Sequence, residues 1–441
     1  MKTAIAAVIT LVGLSALAAF HPTVTDVVLR QEANNRVYVS YALDEDAIVT
    51  VDFLTNGVSI GASNIGELEG VGIVSAGTHE IVWRPARTWA AAGGADVPNV
   101  VAKVTAYAKD DPPDYLVVDL TKEATACFYA TTNDFPFGFG GEIYKTDRLV
   151  MKRVRARNRS FAMGSALRTA KHNANETAHT VSFAKDFYLG IYQLTQKQCR
   201  NFCLGTSFWP GNANCRREPN DVDGLATVDT YPMTGLTYTE LRENTNNNAS
   251  AAYTWPEKGR KVKPVGKGAD VSVLGYLNKK SGLHFDLPTE AEWEYVCRAG
   301  HGSDFGDGTD WTDVASGSEL GWTNYNSKDK SGTVVIHGVG LKKPNDWGFY
   351  DMHGNCDEWC LDWYAADFAK AGGEIDPTGP VKDEADQSPV AGVTRDEPCR
   401  IRRGGHYNNT AAAARGPFRS IEKPKSRQPN IGFRVWAEVN F

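Results

Sequence analysis

Residues 22–110 alternate between apolar and polar side chains with a period of two, which is the pattern of a half-buried β-strand and not of a helix. Gly, Asn, Asp and Pro residues separate the apolar runs at hairpin-like intervals. The β-branched or aromatic runs are RVYVSYAL, AIVTVDFL, THEIVWRP and VVAKVTAYA. The pattern predicts a small antiparallel β-sandwich of the immunoglobulin or fibronectin type. We find no catalytic cluster in this segment, so a spacer or adhesion module is the favoured interpretation.

The character of the chain changes at about residue 151, where tryptophans, glycines and short polar segments take over. With 42 glycines, 11 tryptophans and little long helical periodicity, the chain is expected to adopt a β-rich α+β fold with many loops. The segment KDDPPDY predicts a domain boundary at 109–115, followed by a connecting segment over 111–150 and a second domain over 151–441.

Three short helices are predicted in the second domain from capping residues and terminal glycines: TQKQCRNFCLG, DVSVLGYLNKKSG and TEAEWEYVCRAG. The third contains Glu290 and Glu292, which could be interpreted as a catalytic carboxylate pair. Two residues apart on a helix, they do not share a face. Capping and interaction with the helix dipole are therefore favoured over acid–base chemistry.

Residues 1–18 have the features of a secretory leader peptide: Lys2, an apolar core, and a small-residue cleavage site ending at Ala18. A membrane anchor is the alternative, but the apolar run is short for a span, and no other stretch could cross a membrane. The mature protein is therefore expected to be secreted, periplasmic or at the cell surface. A net charge of −6 with interspersed signs argues against nucleic-acid partners. In an exported protein the eight cysteines become disulfide candidates.

From Phe161 onward, distinctive motifs follow one another in a fixed order: FAMGS, ETAHTVSFAKDFYLGIYQLTQKQC, FDLPTEAEWEYVCRAG, KPNDWGFYDMHGNCDEWCLDWY, RRGGHY and NIGFRVW. Together they resemble the formylglycine-generating enzyme (sulfatase-modifying factor) family over about residues 150–441. The resemblance implies a compact domain, related to C-type lectins, with little regular secondary structure. Enzymes of the family oxidise a sulfatase cysteine with molecular oxygen and a copper ion held by two cysteines, whereas other relatives are lectin-like binding domains.

The resemblance also shows where this chain departs from the enzymes. The two copper cysteines fall on Asn409 and Ala414, and the serine of the loop falls on His406. A further departure is Asp357, where the family usually has tryptophan. Cu(I) requires soft thiolate ligands, which Asn and Ala cannot replace. We therefore expect neither a copper site nor a catalytic residue at this loop.

Two functions from different classes stay open. The favoured one is an exported, non-catalytic module that binds a peptide or a glycan. The alternative is a formylglycine-generating oxidase, or a related metal-dependent oxidoreductase, that acts on a sulfatase or another protein. The candidate pocket residues are His406, Tyr407, Asn409, Arg415 and Arg419. His406 is assigned to the pocket rim in preference to a role as metal ligand or general base, because no partner histidine or carboxylate lies near it in sequence. Arg415, Arg419 and Arg434 are expected to divide between ligand contact and structural hydrogen bonds.

Structural Ca²⁺ is a further implication of the resemblance. One site would use the Asp351 and Glu358 side chains with the Gly354 and Cys356 carbonyls, an oxygen set that suits a hard cation. A second site would use Asn324, the Tyr325 carbonyl and Asp329. The alternative is that these carboxylates are hydrogen-bonded loop residues without metal.

In this fold the segments that contain Cys360 and Cys399 are expected to lie side by side, which predicts a Cys360–Cys399 disulfide. Buried, reduced thiols are the rival interpretation. The spacing of Cys356 and Cys360 does not match the C-x-x-C pattern, and no matching histidine pair follows, so a zinc site is not favoured.

Overall fold

The computed structural model describes residues 21–32, 36–85, 89, 100–123, 125–165, 172–203, 227–243, 260, 272–367, 375–385 and 397–439. The predicted leader peptide and Cys215 lie outside these ranges. The described part of the chain is rich in β-structure and has six α-helices. None of those helices combines the length and the apolar character that a membrane crossing requires.

The strands are β1 Val24–Gln31, β2 Val37–Leu43, β3 Ala47–Thr55, β4 Val58–Ser59, β5 Gly72–Val74, β6 Gly77–Trp83, β7 Val100–Tyr107, β8 Tyr115–Asp119, β9 Ala126–Tyr129, β10 Arg148–Val154, β11 Arg159–Met163, β12 His179–Phe183, β13 Phe187–Gly190, β14 Phe285–Asp286, β15 Asp357–Trp363, β16 Arg400–Arg403, β17 Ser420–Glu422, β18 Ile431–Gly432 and β19 Trp436–Glu438. The helices are α1 Ala62–Ile65, α2 Ile143–Thr146, α3 Gln196–Cys203, α4 Tyr238–Arg242, α5 Val273–Ser281 and α6 Glu290–Arg298.

Two antiparallel sheets form the N-terminal unit: β1-β2-β6, and β4-β3-β5 with β7 paired to β3. Their inward-facing residues share one apolar cluster, in which the rings of Phe53 and Trp83 stack 4.2 Å apart. The burial of β2 alternates strictly, as its period-two sequence predicts. All four strands predicted here are confirmed, whereas the assignment to the immunoglobulin or fibronectin type stays a prediction.

The sheet β14-β19-β13-β10-β8-β9 lies at the centre of the second unit. Strand β8 pairs antiparallel with β10, joining Leu116 to Met151, and β9 pairs with β8 at the edge. Residues 111–150, predicted as a connecting segment, therefore supply two strands and α2 to this unit. The two units also share packing, because Ile48 of β3 is fully buried in the main cluster of the second unit.

The three predicted helices form α3, α5 and α6. Thr195 and Gln198 exchange the hydrogen bonds of a capping box before α3, and Thr289 and Glu292 do so before α6. Helix α5 begins after the Ser272 cap and ends at Gly282, which has a left-handed backbone. Helix α6 packs against β15 and β16 of the sheet β17-β16-β15-β18, and this layer positions the candidate site.

Candidate functional site

The loop between β16 and β17, residues 404–419, begins with two glycines that no other residue could easily replace. Gly404 and Gly405 have φ values of 96° and 71°. A Cβ on Gly405 would lie 2.8 Å from the Ala413 carbonyl oxygen, and one on Gly404 would lie 3.2 Å from the Trp293 ring. The turn therefore folds back tightly onto its own 3₁₀ helix, Ala411–Ala414.

Hydrogen bonds within the loop fix the predicted pocket residues. The Asn409 Oδ1 accepts the His406 N–H at 3.0 Å, and the His406 Nδ1 accepts the Asn408 N–H at 3.2 Å. The Tyr407 carbonyl accepts the Ser327 hydroxyl at 2.7 Å. Burial lowers the pKa of His406, against the attraction of Asp357, so the ring is neutral and its proton lies on Nε2. His406 therefore offers a hydrogen-bond donor, and the Asn409 oxygen closes the turn.

Ala414 is buried, and its carbonyl accepts a hydrogen bond from His353 Nδ1 at 2.8 Å. His353 Nε2 accepts the Gly306 N–H at 3.0 Å, which fixes the neutral tautomer, and burial lowers the His353 pKa to about 4. The Cys297 sulfur lies 3.7 Å from His353 Nε2, and burial raises the pKa of this thiol. Sequence reasoning missed this Cys–His contact. It is a protonated thiol beside a neutral imidazole and not an activated nucleophile.

Arg415 and Arg419, two of the predicted pocket residues, both form buried ion pairs beneath the loop, which is the structural alternative of the prediction; their role as ligand contacts stays a prediction. Both guanidinium groups are buried. Arg415 binds Glu176 through two hydrogen bonds of 2.8 and 3.0 Å. Arg419 binds Glu290 through two of 2.7 and 2.8 Å. Glu290 is thus the partner of a structural ion pair, as its assignment away from acid–base chemistry requires.

A carboxylate that was not in the predicted pocket lies against the loop. Asp357 is fully buried and binds Arg402, while its Oδ1 has no partner within the described residues. Its charge acts on His406. Asp357, Arg402, His406, Tyr407 and Asn409 together form a small polar region, called here the loop face. The departure of GNCDEW from the family pattern was the sequence signal for Asp357.

The oxygen atoms of the first predicted calcium site surround the side-chain amide nitrogen of Gln193. Gln193 Nε2 lies 3.2, 3.3 and 2.9 Å from the carbonyl oxygens of Asp351, Gly354 and Cys356, and 3.1 Å from Glu358 Oε1. An amide nitrogen carries two hydrogens, so four oxygens exceed what it can satisfy. Carbonyl and carboxylate oxygens that surround one point fit a hard cation such as Ca²⁺. We call this arrangement the oxygen cage.

The Asp351 carbonyl faces the oxygen cage, whereas its side chain, the predicted calcium ligand, makes a different contact here. Its Oδ2 accepts the Gly340 N–H at 2.7 Å, and its Oδ1 has no partner among the described residues. Glu358 is already paired with Arg434, at 2.9 Å through Oε1 and 3.0 Å through Oε2. Arg434 therefore has the structural role that was one of its alternatives.

The second predicted calcium set is not drawn together in the same way. Asp329 Oδ1 accepts the Ser331 N–H, the Ser331 hydroxyl and the Thr333 N–H at 2.9, 2.7 and 2.9 Å. Those bonds lower the pKa of Asp329 and close its own exposed turn. Asn324 donates its backbone N–H to the Asn409 carbonyl at 2.9 Å, and the Tyr325 side chain is exposed. The side-chain contacts thus match the alternative of a hydrogen-bonded loop carboxylate.

Strands β15 and β16 pair antiparallel, so the segments that contain Cys360 and Cys399 do lie side by side. Both cysteines are buried thiols in one apolar cluster, and the structure does not join them in a disulfide. The backbone explains the separation, because the Cys399 carbonyl accepts the Tyr364 N–H at 2.9 Å, four residues beyond Cys360. The disulfide stays a prediction that peptide mapping under non-reducing conditions tests.

Residues 145–439 match the family described as "Sulfatase-modifying factor enzyme 1-like domain". The formylglycine-generating enzyme of Bos taurus is 24% identical over 304 residues, 63% of this chain and 72% of that protein. Chaperone protein LppX of Paenibacillus barcinonensis is 27% identical over 213 residues, 46% of this chain and 70% of that one.

Serine/threonine-protein kinase pkn1 of Chlamydia pneumoniae is 32% identical over 154 residues, 35% of this chain but only 21% of the kinase. The chain therefore spans a small part of that relative and most of the other two. The solved structure of PvdO from Pseudomonas aeruginosa has 21% identity and a TM-score of 0.46, with 66% of this chain and 94% of that one covered.

Proposed function

The chain belongs to the sulfatase-modifying factor enzyme 1-like family, and from this membership we propose that it is a non-catalytic member that binds a peptide or a glycan through the loop face. One observation carries the proposal. Asn409 and Ala414 stand where the family's enzymes have their copper cysteines, and both are built into the loop by other contacts: Asn409 closes the turn, and Ala414 is buried against His353.

The chemistry of the loop face suits a polar ligand. His406 Nε2 and the partly exposed Arg402 guanidinium can donate hydrogen bonds to a ligand, while the buried Asp357 carboxylate holds Arg402 in place. A peptide backbone and a sugar both present acceptor oxygens to such donors. Because Asp357 and Arg402 are paired, the ligand need not bring a balancing charge.

The alternative is an oxidase that uses a rearranged metal site, for which the similarity to formylglycine-generating enzymes is the supporting observation. A soft-metal site would need thiolates. Cys297, the thiol that contacts His353 beneath the loop, is buried, and its raised pKa keeps it protonated. The oxidase therefore has weaker support than the binding module.

Oxygen consumption with a sulfatase-type cysteine peptide and added copper separates the two functions. A formylglycine-generating enzyme assayed in parallel serves as the positive control. We expect no turnover by the purified protein. Turnover that copper chelation abolishes would contradict the non-catalytic proposal and support the oxidase.

Peptide and glycan arrays with the purified protein test the binding function directly. We expect His406→Ala and Asp357→Asn to weaken the array signal, because the first removes a donor of the loop face and the second removes the charge that holds Arg402 there. Thr410→Ala is the matched control, since Thr410 is exposed in the same loop and its side chain caps no helix N–H. Equal binding by all variants would place the ligand elsewhere.

The proposal includes export, with a peptide, a glycan or a sulfatase as the partner. It rests on the leader peptide predicted over residues 1–18 and the apolar run it contains. Sequencing the N-terminus of the protein recovered from the cell envelope or medium tests this. We expect it to begin after Ala18, and recovery of an intact N-terminus from the cytosol would contradict export.

A further inference from the structure

A cavity of 530 Å³ lies between the N-terminal sheets and the second unit, far in sequence from the loop face. One wall is the outer face of β3 and β7, and the other is the β8–β9 hairpin with Arg148. Its volume is in the range of small-molecule sites, which often occur between domains. Family membership gives no role to this space, because every lining residue except Arg148 lies outside residues 145–439.

The β3–β7 wall becomes more polar from its buried end to its exposed end. Three cross-strand pairs follow one another on the same face: Ile48 with Tyr107, Thr50 with Thr105, and Asp52 with Lys103. Ile48 is fully buried in the second unit, whereas Lys103 is exposed. Along this wall a ligand would therefore meet an aromatic ring and hydroxyls inside and charged groups at the exposed end, whereas the buried charges of Asp119 and Arg148 belong to the opposite wall.

The charges around the cavity are largely compensated within its walls. Lys122 lies 3.2 Å from carboxylate oxygens of both Glu67 and Asp119, and Arg148 pairs with Glu67. Asp52 accepts the Ser59 hydroxyl at 2.8 Å. An ionic ligand deep in the cavity would have to compete with these pairs and would lose its hydration, because Lys103, the lining cation outside these pairs, lies at the exposed end. The walls therefore favour an uncharged ligand.

From this combination we propose that the cavity binds a neutral saccharide of one or two rings. The tyrosine rings of Tyr107 and Tyr129 offer apolar surface for the C–H face of a sugar, and their hydroxyls offer polar contacts. Thr105 and Asn133 add further donors and acceptors to the lining. A sugar is neutral, has many hydroxyl groups and is apolar on one face, which matches all three properties of the walls.

The test uses titration calorimetry with glucose, galactose, N-acetylglucosamine and lactose on the full chain. Thr105→Trp fills the cavity and is expected to weaken binding of the sugar that binds by at least about tenfold, since the indole takes the ligand's place. Val101→Trp is the matched control, because Val101 lies on the same strand face about 13 Å further out and is 63% exposed. It should change the affinity by less than about twofold, because a surface residue away from the site is near-neutral.

If the Trp variant fails to fold, the milder variant Thr105→Val takes its place: it replaces the hydroxyl with a methyl group and should weaken binding about fivefold, the effect of one lost hydrogen bond. The proposal is overturned if none of the four sugars binds, if Thr105→Val binds as the wild type does, or if glucuronate or glucosamine binds as tightly as the neutral sugars. His406→Ala should leave this binding unchanged. Its loss in that variant would assign the sugar to the loop face, which overturns the cavity proposal and supports the proposed function.

Discussion

Gln193 decides what the oxygen cage can hold. With Nε2 toward the four oxygens, the amide can satisfy two of them. The Gln193 Oε1 accepts the Asn355 Nδ2–H at 3.2 Å, which fixes Nε2 toward the four oxygens. Nε2 lies at the point that the oxygens surround, so a cation could enter the cage only if the Gln193 side chain moved away. Calcium binding would therefore be coupled to the position of one side chain.

Calcium should raise the melting temperature of the protein, because a ligand that binds only the folded state stabilises it by about 2.7 kcal/mol at a hundred times its dissociation constant. Glu358→Gln should lose that response, since it removes the only carboxylate of the oxygen cage. Asp351→Asn should keep it, because Asp351 contributes its carbonyl. Scanning calorimetry with and without chelator measures both. An unmoved wild-type transition, with no calcium in elemental analysis, would show that the cage binds no calcium.

Asp362 should contribute more stability in acid than at neutral pH. It is fully buried and accepts the Glu290 N–H at 2.7 Å through Oδ2. Burial, with repulsion from Glu290, raises its pKa to about 8. A raised folded pKa favours the protonated form, so its stabilising contribution is full below about pH 4 and is lost as the pH rises toward 8.

Asp362→Asn should therefore stabilise the protein at pH 8 by a few kcal/mol, because each tenfold change in the proton affinity of a group corresponds to about 1.4 kcal/mol. At pH 4 the substitution should hardly change the free energy of unfolding, because the Asn side-chain oxygen still accepts the Glu290 N–H. Urea unfolding at both pH values measures the difference. Asp383→Asn, at an exposed position, is the control and should change neither value. If the stability that Asp362→Asn gains over the wild type does not grow with pH, then Asp362 ionises as an ordinary carboxyl does.

Residue types in the loop were predictable from the sequence, but their partners were not. Arg415 and Arg419 bind Glu176 and Glu290, which are 239 and 129 positions away. The neighbouring residues in the sequence do not distinguish an arginine in a structural ion pair from one that contacts a ligand. The same holds for His353, whose contact with Ala414 spans 61 positions. Asn409 and Asp357 were noticed because they depart from the pattern of a known family.

Turns are the elements that the sequence identifies most directly, and the loop face depends on one. Gly405 has a left-handed backbone, and a side chain there would also meet the Ala413 carbonyl at 2.8 Å. Gly332 has the same kind of backbone, with φ of 84°, but open space around its Cβ position. Comparing substitutions at these two glycines therefore separates the free-energy cost of the left-handed backbone from the cost of a steric clash.

Gly405→Ala should lower the free energy of unfolding by about 2–4 kcal/mol, because backbone strain and a steric clash add. Gly332→Ala should cost only about 1 kcal/mol, the conformational term alone. Urea denaturation of the two variants measures both costs. Equal losses would show that the loop relaxes around the added methyl group.

Helices and strands with strong local signals were predicted, and those fixed by distant partners were not. The capping boxes of α3 and α6 lie within four residues, so the sequence determines them. Strands β8 and β9 also have strand-like sequences, but the connecting segment was not expected to join the central sheet. Membership of a sheet depends on which strand lies alongside, here β10, and the period-two pattern does not encode that choice.

At the scale of the whole molecule, the N-terminal unit is a packed part of the structure and not a free spacer. Gly72 approaches the second unit so closely that a Cβ would lie 2.7 Å from the Ala126 carbonyl oxygen. Arg148 of the central sheet pairs with Glu67 across the same boundary. Ile48 completes the contact by packing among the apolar residues of the second unit. The spacer function favoured from sequence would be compatible only with a rigid spacer.

Ile48→Ala should therefore destabilise both units together. Ile48 is fully buried, and deleting such a side chain costs about 2–5 kcal/mol. Ile73→Ala is the matched control: Ile73 is the direct β5 partner of Ile48 in the sheet, but it is 41% exposed and should cost well under about 1 kcal/mol. Calorimetry should show one transition for the wild type that shifts down or splits in Ile48→Ala and stays nearly unchanged in Ile73→Ala. Two separate transitions in the wild type would mean that the shared packing does not couple the units, and the cavity between them would then lack a rigid wall.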